Sequence, residues 1–339
     1  MGSGSSLSDA GDNGFPRVLV TGSCGQIGME LVPLLRKMWG NQNVIATDVK
    51  SPPRWFQQSG PFHYLDVVDK DQMARIALEN GITTIVHMAS MLSATGEKYP
   101  QLALKVNNEG IQNVLELARI NELRVFAPST IAVFGPTTPK DNTPDETIMR
   151  PTTMYGLTKV FGENLGEYYH RKFGVDFRSL RYPGVISSET LPGGGTTDYA
   201  VEIYYDALES GAHRCFLSKD TVLPMMYMPD LLRATVEMIT APSERLSQRV
   251  YNLGAMSFTP EELTASIAAQ IPGFETTYEP DFRQDIANTW PRKLDDSRAR
   301  ADWGWQPEFD IDTMTVDMLE KLSTRLECVY HKPEPLECF

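Results

Sequence analysis

Short apolar runs alternate with longer segments of helical periodicity over most of the chain. The runs lie near residues 18–21, 44–48, 62–65, 84–88, 124–128, 177–181 and 249–253, and the helical segments between them lie near 28–39, 69–79, 100–119 and 152–173. Uniformly apolar runs are typical of strands buried on both faces, and their alternation with helices is typical of βαβ units. The pattern predicts an α/β fold with a Rossmann-type, doubly wound parallel sheet.

The order of elements changes after Pro183. A glycine-rich segment, Leu191–Asp198, interrupts the alternation. Further helices are predicted near 199–209 and 229–239, and from Thr259 and Asp312. We predict a nucleotide-binding domain over 15–183, to which 222–253 return, and a smaller C-terminal substrate-binding lobe formed by 184–221 and 254–330.

Both ends of the chain differ in composition from the rest. Residues 1–14 are polar, rich in Gly and Ser, and lack the arginines of a transit peptide and the apolar core of a signal peptide. We interpret 1–14 as a disordered leader or a cloning remnant, and 331–339, with two prolines, as a tail. No apolar run approaches the roughly 18 residues that a membrane span requires.

A glycine turn separates the first predicted strand from the first predicted helix. Its three glycines are spaced three apart, which allows a tight turn, the approach of a pyrophosphate and close packing of helix on strand. The N–H groups at the helix start would face the phosphates. The predicted dinucleotide contacts in this turn are Gly22, Gly25, Gln26, Ile27 and Gly28.

Asp48 ends the second apolar run, twenty residues after Gly28. At this position an acidic side chain can accept hydrogen bonds from both hydroxyls of an adenosine ribose, and it would repel a 2′-phosphate. The sequence therefore favours NAD as the cofactor. Lys50 and Arg54 lie close enough to leave NADP open as the alternative.

Composition excludes several classes of function. The chain has 339 residues, of which 41% are hydrophobic, so it can bury a sizeable core. A formal net charge of −13 disfavours nucleic acid and anionic membranes as partners, because both require a concentrated positive face. The four cysteines and five histidines are scattered without metal-ligand spacing. We therefore expect no metal site and a reducing compartment.

Tyr155 and Lys159 lie four residues apart at the start of the helix predicted over 152–173. Residues at this spacing share a helical face, so the phenol and the ammonium are presented together. A nearby cation favours the phenolate, and lowering the phenol pKa by about two to three units would make Tyr155 a base near neutral pH. We predict an acid–base pair, with a plain helix face as the alternative.

With both motifs in this order, residues 16 to about 325 resemble the extended short-chain dehydrogenase/reductase family, whose G-x-x-G-x-x-G and Y-x-x-x-K motifs occur here. The resemblance implies that Thr130, or its neighbour Ser129, hydrogen-bonds the substrate oxygen. It also implies that Asp66, Val67, Met88, Ala89, Ser90, Asn107 and Tyr182 contact the cofactor, together with Tyr155 and Lys159.

Within that family, several long segments resemble the L-threonine 3-dehydrogenases. They are 90–97, 181–187, 193–200, 290–292, 295–297 and 301–305. The resemblance implies oxidation of L-threonine at its β-carbon to L-2-amino-3-oxobutanoate, with NAD⁺ taking the hydride. Tyr155 would remove the hydroxyl proton, Lys159 would hold the nicotinamide ribose, and Thr130 would orient the hydroxyl. The further substrate contacts that it implies are Ser93, Thr196, Thr197 and Trp290.

Two other functions stay open at this point. A nucleotide-sugar epimerase or dehydratase uses the same Tyr and Lys, but dehydratases of the family have an Asp-Glu pair where this chain has Ile131-Ala132. A non-catalytic NAD(H)-sensing protein usually lacks the Tyr or the Lys, and both are present. The resemblance further implies a homodimer formed through 100–119 and 152–173. It implies a mitochondrial matrix location in a eukaryote and a cytoplasmic one otherwise.

Overall fold

The computed structural model describes residues 14–191 and 195–330. The first unit contains the described residues up to Val133, with Thr152–Arg181 and Thr235–Tyr251, and the second contains Phe134–Pro151, Tyr182–Ala234 and the described residues from Asn252 onwards. Four segments predicted for the nucleotide-binding domain belong to the second unit here: 134–151, 182–183, 222–234 and 252–253. Residues 1–13 of the predicted leader, 192–194 of the glycine-rich segment and the tail 331–339 lie outside the described residues.

The elements follow the predicted alternation closely. The strands are β1 (Val18–Thr21), β2 (Val44–Asp48), β3 (Phe62–Tyr64), β4 (Thr84–His87), β5 (Arg124–Phe126), β6 (Ser129–Thr130), β7 (Phe177–Tyr182), β8 (Gly184–Ile186), β9 (Ala212–Cys215), β10 (Leu223–Tyr227), β11 (Val250–Asn252), β12 (Met256–Phe258) and β13 (Glu275–Tyr278). The helices are α1 (Gln26–Trp39), α2 (Arg54–Gln58), α3 (Lys70–Glu79), α4 (Ser93–Lys98), α5 (Pro100–Leu104), α6 (Gly110–Asn121), α7 (Met154–Phe173), α8 (Tyr199–Glu209), α9 (Met228–Thr240), α10 (Pro260–Gln270), α11 (Phe282–Ala287), α12 (Ser297–Trp303) and α13 (Ile311–Tyr330).

The central sheet has the strand order β11-β7-β5-β4-β1-β2-β3, with β6 paired to β7. β1 pairs in parallel with β2 on one side and with β4 on the other, and β2 with β3, β4 with β5 and β5 with β7 are also parallel. The chain therefore reverses its direction of winding between β1 and β4. The predicted α/β, doubly wound fold is confirmed, and ligands of such sheets bind at the carboxyl ends of the strands beside this reversal.

Apolar strand residues and one face of each flanking helix form the core of the first unit. Leu19, Ile85 and Val125, on adjacent strands, are fully buried and pack in a single cluster with Ile76 of α3 and Val114 of α6. On α6 the buried residues recur every three or four positions, which is the spacing of one helical face. This packing fixes the helices on the sheet and so fixes their ends around the site.

The segment predicted as one helix over 100–119 is divided in the structure. α5 and α6 are separated by a π-helical turn, Lys105–Glu109, in which Asn107 is buried. Gly110 follows directly, and a Cβ added there would lie 2.9 Å from a methyl group of Val67. Single π turns are frequent at functional sites, and sequence periodicity does not reveal them.

The second unit contains two small sheets and a helical cluster. β10 pairs in parallel with β8 and antiparallel with β12, while β9 and β13 form a parallel pair. Tyr204 of α8 hydrogen-bonds Thr315 of α13 at 2.9 Å, and Ser266 of α10 donates to Thr315 at 3.0 Å. These buried hydroxyls connect three helices. None of the helices within the described ranges has the length and apolar composition needed to cross a membrane.

We predict that Gly166→Ala destabilises the first unit. A Cβ at Gly166 of α7 would lie 2.3 Å from two ring carbons of the buried Phe177 on β7. Overpacking of this kind costs about 1–3 kcal/mol of the free energy of unfolding, measurable by chemical denaturation. Gly162→Ala on the same helix is the control, because its Cβ would meet only Ile111, at 3.9 Å. It should be neutral or stabilising; equal losses in both variants would contradict this account.

Candidate active site

The turn after β1 lies against the chain that follows β4. Gly22 has φ +66, and a Cβ there would lie 2.5 Å from the backbone nitrogen of Ala89. A Cβ on Gly28 would lie 2.7 Å from the carbonyl oxygen of Gly22. Both positions therefore require glycine, one for its conformation and both for close backbone approach. The geometry is that of a backbone cradle.

The N-terminus of α1 forms one side of this cradle, because the helix begins at Gln26, directly after Gly25 of the turn. Gly25 is the capping residue, with no side-chain cap, and the first turn contains no acidic residue. The N–H groups of Gln26 and its neighbours therefore keep the unsatisfied donors of a helix start, together with the positive end of the helix dipole. This end fits the pyrophosphate of a dinucleotide.

Asp48 lies beside the same turn at the end of β2 and is 8% exposed. One carboxylate oxygen accepts a hydrogen bond from the N–H of Cys24 and the other from the N–H of Lys50, both at 2.9 Å. These two backbone donors orient the carboxylate, and each oxygen keeps a lone pair for a ribose hydroxyl. Burial and the Asp48 charge raise the pKa of the Cys24 thiol to about 11, so this cysteine is a neutral part of the cradle.

The chain after the carboxyl ends of β2 and β3 carries further residues that the sequence analysis considered for cofactor binding. Lys50 and Arg54, the residues that left NADP open, are both exposed. Asp66 follows β3, is exposed, and accepts a hydrogen bond from the N–H of Val68 at 3.2 Å. Val67 beside it is buried. The carboxyl ends of β2 and β3 thus bring two acidic side chains to one edge of the sheet.

The loop Met88–Ser90 is held by β1 and by the π turn. The N–H of Met88 donates to the carbonyl of Thr21 at 3.1 Å, and the N–H of Ala89 to the Thr21 hydroxyl at 3.3 Å. Asn107 exchanges two hydrogen bonds with the backbone of Met91 and donates a third to the hydroxyl of Thr158 on α7. In this structure Asn107 therefore positions the loop, with its amide engaged by protein.

Tyr155 and Lys159 face the same side of α7, as their spacing predicts. The Lys159 Nζ lies 5.6 Å from the centroid of the Tyr155 ring and donates to the carbonyl of Pro128 at 2.8 Å. The phenol is hydrogen-bonded to the Thr130 side chain. A hydroxyl bound here would meet a phenol, a threonine hydroxyl and an amine, which together can remove and relay a proton.

The direction of the pKa shift at Tyr155 is opposite to the predicted one. Burial raises the pKa of Tyr155 to about 12, and the hydrogen bond from Thr130 only partly opposes it. Burial also lowers the pKa of Lys159 to about 8, against the charge of Glu163, which raises it. Desolvation disfavours the charged form of both groups and is the largest cause of each pKa shift. The spacing argument did not take desolvation into account.

Ser129 and Thr130 point to different partners, and the partner of Ser129 was missed by the sequence analysis. The Ser129 hydroxyl donates to the carboxylate of Glu163. Arg181 binds the same carboxylate through two hydrogen bonds of 2.9 Å each. The signal was present in the sequence, because 155, 159 and 163 are each four residues apart and an acidic residue on a buried helical face requires a partner.

Ser93 begins α4, which packs against the start of α7. Gly96 of α4 is buried, and a Cβ added there would lie 3.9 Å from the backbone nitrogen of Tyr155. The Glu97 carboxylate accepts a hydrogen bond of 2.7 Å from the N–H of Met154, the first residue of α7. The helix that carries Ser93 is thereby fixed next to the N-terminus of the helix that carries Tyr155.

The other predicted substrate residues belong to the second unit. Thr196 is buried, and Thr197 lies in a turn closed by hydrogen bonds between Gly195 and Asp198. The Thr197 methyl group packs on Gly184 of β8, where an added Cβ would lie 2.6 Å from it. Trp290, the last of the predicted substrate residues, is buried, and so is Tyr182, a predicted cofactor contact. In the described part of the chain no three His, Cys, Asp or Glu side chains are grouped to hold a metal ion.

Comparison with known proteins agrees with this geometry. The sequence signature of the NAD dependent epimerase/dehydratase family matches residues 18–254. The chain is 50% identical over 305 residues to mitochondrial L-threonine 3-dehydrogenase of Sus scrofa, a match that covers 90% of this chain and 82% of the relative.

Solved structures are similar over the same region. The L-threonine dehydrogenase of Phytophthora infestans is 65% identical, with a TM-score of 0.89 and coverage of 91% of this chain and 99% of that chain. The holo form of the GalE-like L-threonine dehydrogenase of Cupriavidus necator is 50% identical, with a TM-score of 0.88 and coverage of 91% and 100%.

Proposed function

The chain belongs to the NAD dependent epimerase/dehydratase family of extended short-chain dehydrogenases/reductases, and from this premise we propose that it oxidises L-threonine at the β-carbon to L-2-amino-3-oxobutanoate. The observation that carries the proposal is the arrangement of Tyr155, hydrogen-bonded to Thr130, with the amine of Lys159 beside the phenol ring. It supplies a base, an orienting hydroxyl and a cation for oxidation of a secondary alcohol.

NAD fits the cradle of the first unit. The backbone at Gly22 and Gly28 and the N-terminus of α1 would hold the pyrophosphate, and the oriented carboxylate of Asp48 would accept the adenosine ribose hydroxyls. Asp66, at the adjacent strand end, would face the adenine. When bound, NAD⁺ supplies the hydride acceptor.

The protein residues carry the proton chemistry. Tyr155 removes the proton from the substrate hydroxyl while Thr130 holds the substrate oxygen, and the alkoxide that develops favours departure of the β-hydrogen. Lys159 holds the nicotinamide ribose and stabilises the phenolate by its charge. Because burial raises the pKa of Tyr155, kcat at saturating NAD⁺ should increase with pH through the neutral and mildly alkaline range.

Recognition of a zwitterionic amino acid requires donors for the carboxylate and acceptors for the ammonium. We assign these roles to Ser93, Thr196 and Thr197, by their resemblance to the corresponding family positions, and we propose that Trp290 covers the substrate.

The epimerase or dehydratase alternative is less well supported, because Ile131 and Ala132, directly after Thr130, are buried apolar residues of a helical turn. An NAD(H) sensor would not require a complete Tyr and Lys pair.

A homodimer is part of the proposal. Exposed apolar side chains lie on α5 and α7: Leu102, Leu157, Tyr168 and Phe173 are 45–51% exposed. Pairing of these helices with those of a second copy would cover them.

The pig relative is named as mitochondrial, and we propose the mitochondrial matrix as the location in a eukaryote and the cytoplasm in a bacterium.

We predict that Tyr155→Phe lowers kcat by about 10²- to 10⁴-fold, the usual contribution of a general base, while NADH binding is largely retained. Lys159→Ala should impair both. Tyr278→Phe, which removes the same atom from a tyrosine of β13 in the second unit, is the matched control. Stopped-flow turnover and NADH fluorescence titration provide the two readouts. Substantial turnover by the Tyr155→Phe protein, above about a tenth of the parent's, would exclude this base.

We predict that Asp48→Asn weakens NAD⁺ binding about 10- to 100-fold, because hydrogen bonds to a charged group are worth about 1.5–3 kcal/mol. The variant should also narrow the gap in kcat/KM between NAD⁺ and NADP⁺, since the charge that repels a 2′-phosphate is removed. Asp71→Asn, an exposed change of equal charge on α3, should leave both values unchanged. Equal use of both cofactors by the parent would argue against the role of Asp48.

We predict that Ser93→Ala and Thr197→Ala each raise the KM for L-threonine about 10- to 100-fold and leave NADH affinity unchanged, because each removes a hydrogen bond to a charged substrate group. Thr95→Ala, an exposed change on α4, is the control. NADH formation should be assayed with a panel of amino acids and sugar nucleotides. Oxidation of sugar nucleotides alone would disprove the threonine assignment and leave the fold unaffected.

A further inference from the structure

A buried ion pair lies one helical turn beyond Lys159. The side chains of Glu163 on α7 and Arg181 on β7 are each 4% exposed. Arg181 donates from Nε and Nη2 to the two carboxylate oxygens, at 2.9 Å each, and Ser129 donates to the oxygen that Nε also binds. The carboxylate is therefore rigidly held, and its orientation is fixed by three donors.

Lys159 and Glu163 line the same small cavity. Its volume is about 30 Å³, and its polar lining also includes Ser90, Ser129, Asn107 and His87. The hydroxyl of Ser90 is buried and has no hydrogen-bond partner among the described residues. A polar cavity of this size accommodates about one or two water molecules. Two ionisable side chains of α7, four residues apart, thus border one polar space.

Four ionisable side chains lie around Lys159 or the cavity. Glu163 on α7 and His87 on β4 line the cavity, the Tyr155 ring lies beside the Lys159 amine, and Arg181 on β7 is paired with Glu163. Burial, assisted by the charge of Lys159, lowers the pKa of His87 to about 3, so the imidazole is neutral. Burial raises the pKa of Tyr155, so the free phenol is neutral near pH 7. Of these four groups, Glu163 is the one that supplies negative charge.

We propose that Glu163 is a positioning residue whose carboxylate, held by Arg181, keeps Lys159 protonated and therefore able to bind the nicotinamide ribose. The proposal rests on the role assigned to Lys159 under the proposed function. Burial lowers the pKa of Lys159 to about 8, and the Glu163 charge opposes this decrease. Without it the amine would lose its proton at a lower pH. Buried ion pairs contribute little net stability on average, so fastening α7 to β7 is a weaker reason for the pair.

The two partners of the ion pair should act in opposite directions. NADH binds with full affinity while Lys159 is protonated, and this affinity is lost as the pH rises through the pKa of Lys159. Glu163→Gln removes the opposing negative charge, so the loss should begin at a lower pH. Arg181→Gln removes the positive charge that partly cancels the carboxylate, so the loss should begin at a higher pH. If the ion pair were purely structural, the two variants would not shift the pH of the affinity loss in opposite directions.

The experiment is NADH binding to the full-length protein, titrated by fluorescence from pH 6 to 10. Relative to the parent, the midpoint of the affinity loss should fall by about one pH unit in Glu163→Gln and rise in Arg181→Gln. Glu163→Asp should lie between the parent and Glu163→Gln. Asp176→Asn is the matched control, because it breaks ion pairs with Arg178 and Arg124 elsewhere in the first unit. It should lower thermal stability without moving the midpoint.

Unchanged midpoints in both glutamine variants, or shifts in the same direction, would overturn the proposal. If neither glutamine variant folds, Glu163→Asp decides alone, since a midpoint equal to the parent's would overturn the proposal and a decrease of a few tenths would support it. Lys159→Ala distinguishes a failure of the proposal for Glu163 from a failure of the role assigned to Lys159. If that variant binds NADH as tightly as the parent at neutral pH, the proposed role of Lys159 fails, whatever Glu163 does.

Discussion

The parallel pairing of β1 with both β2 and β4 is the constraint on which the site depends. It aligns Thr21 with Thr47 on one side and with His87 on the other, so three chain segments leave the sheet at the same level. The glycine turn, Asp48 and the loop after β4 are those segments. The three segments can lie this close only because residue 22 is glycine, since a Cβ there would clash with the backbone of Ala89. The cradle proposed to hold the dinucleotide is therefore a consequence of strand order and of the absence of a Cβ at residue 22.

The chemistry depends on a second arrangement, the face of α7 that bears residues 155, 159 and 163. Helical periodicity places a phenol, an amine and a carboxylate in line, and the sheet removes them from water. Desolvation then opposes the charged forms of two of them, so the pKa of Tyr155 is raised and the pKa of Lys159 is lowered. A reactive site in this environment needs compensating charge from its neighbours and from its ligands.

Much of the fold could be predicted from the sequence, because apolar runs and helical periodicity report burial directly. The strands from β1 to β5, β7 and β11 lie within a residue or two of their predicted positions. Strands of the second unit were not predicted, since β9 and β13 are partly exposed and contain no apolar run, and β10 contains a proline. Spacing also placed Tyr155 and Lys159 together correctly. It could not report the pKa of Tyr155, the division of helix 100–119 or the partners of Ser129, because these depend on contacts distant in sequence.

Asn107 has a mechanical consequence. Its amide is hydrogen-bonded to the N–H and the carbonyl of Met91 and to the hydroxyl of Thr158, so it links the loop after β4 to α7, the helix that carries Tyr155. Relative motion between the loop and α7 would vary the distance between a dinucleotide in the proposed cradle and Tyr155, the proposed base. Since the amide suppresses that motion, the entropy of alignment is lost once, when the chain folds, and not again in each catalytic cycle.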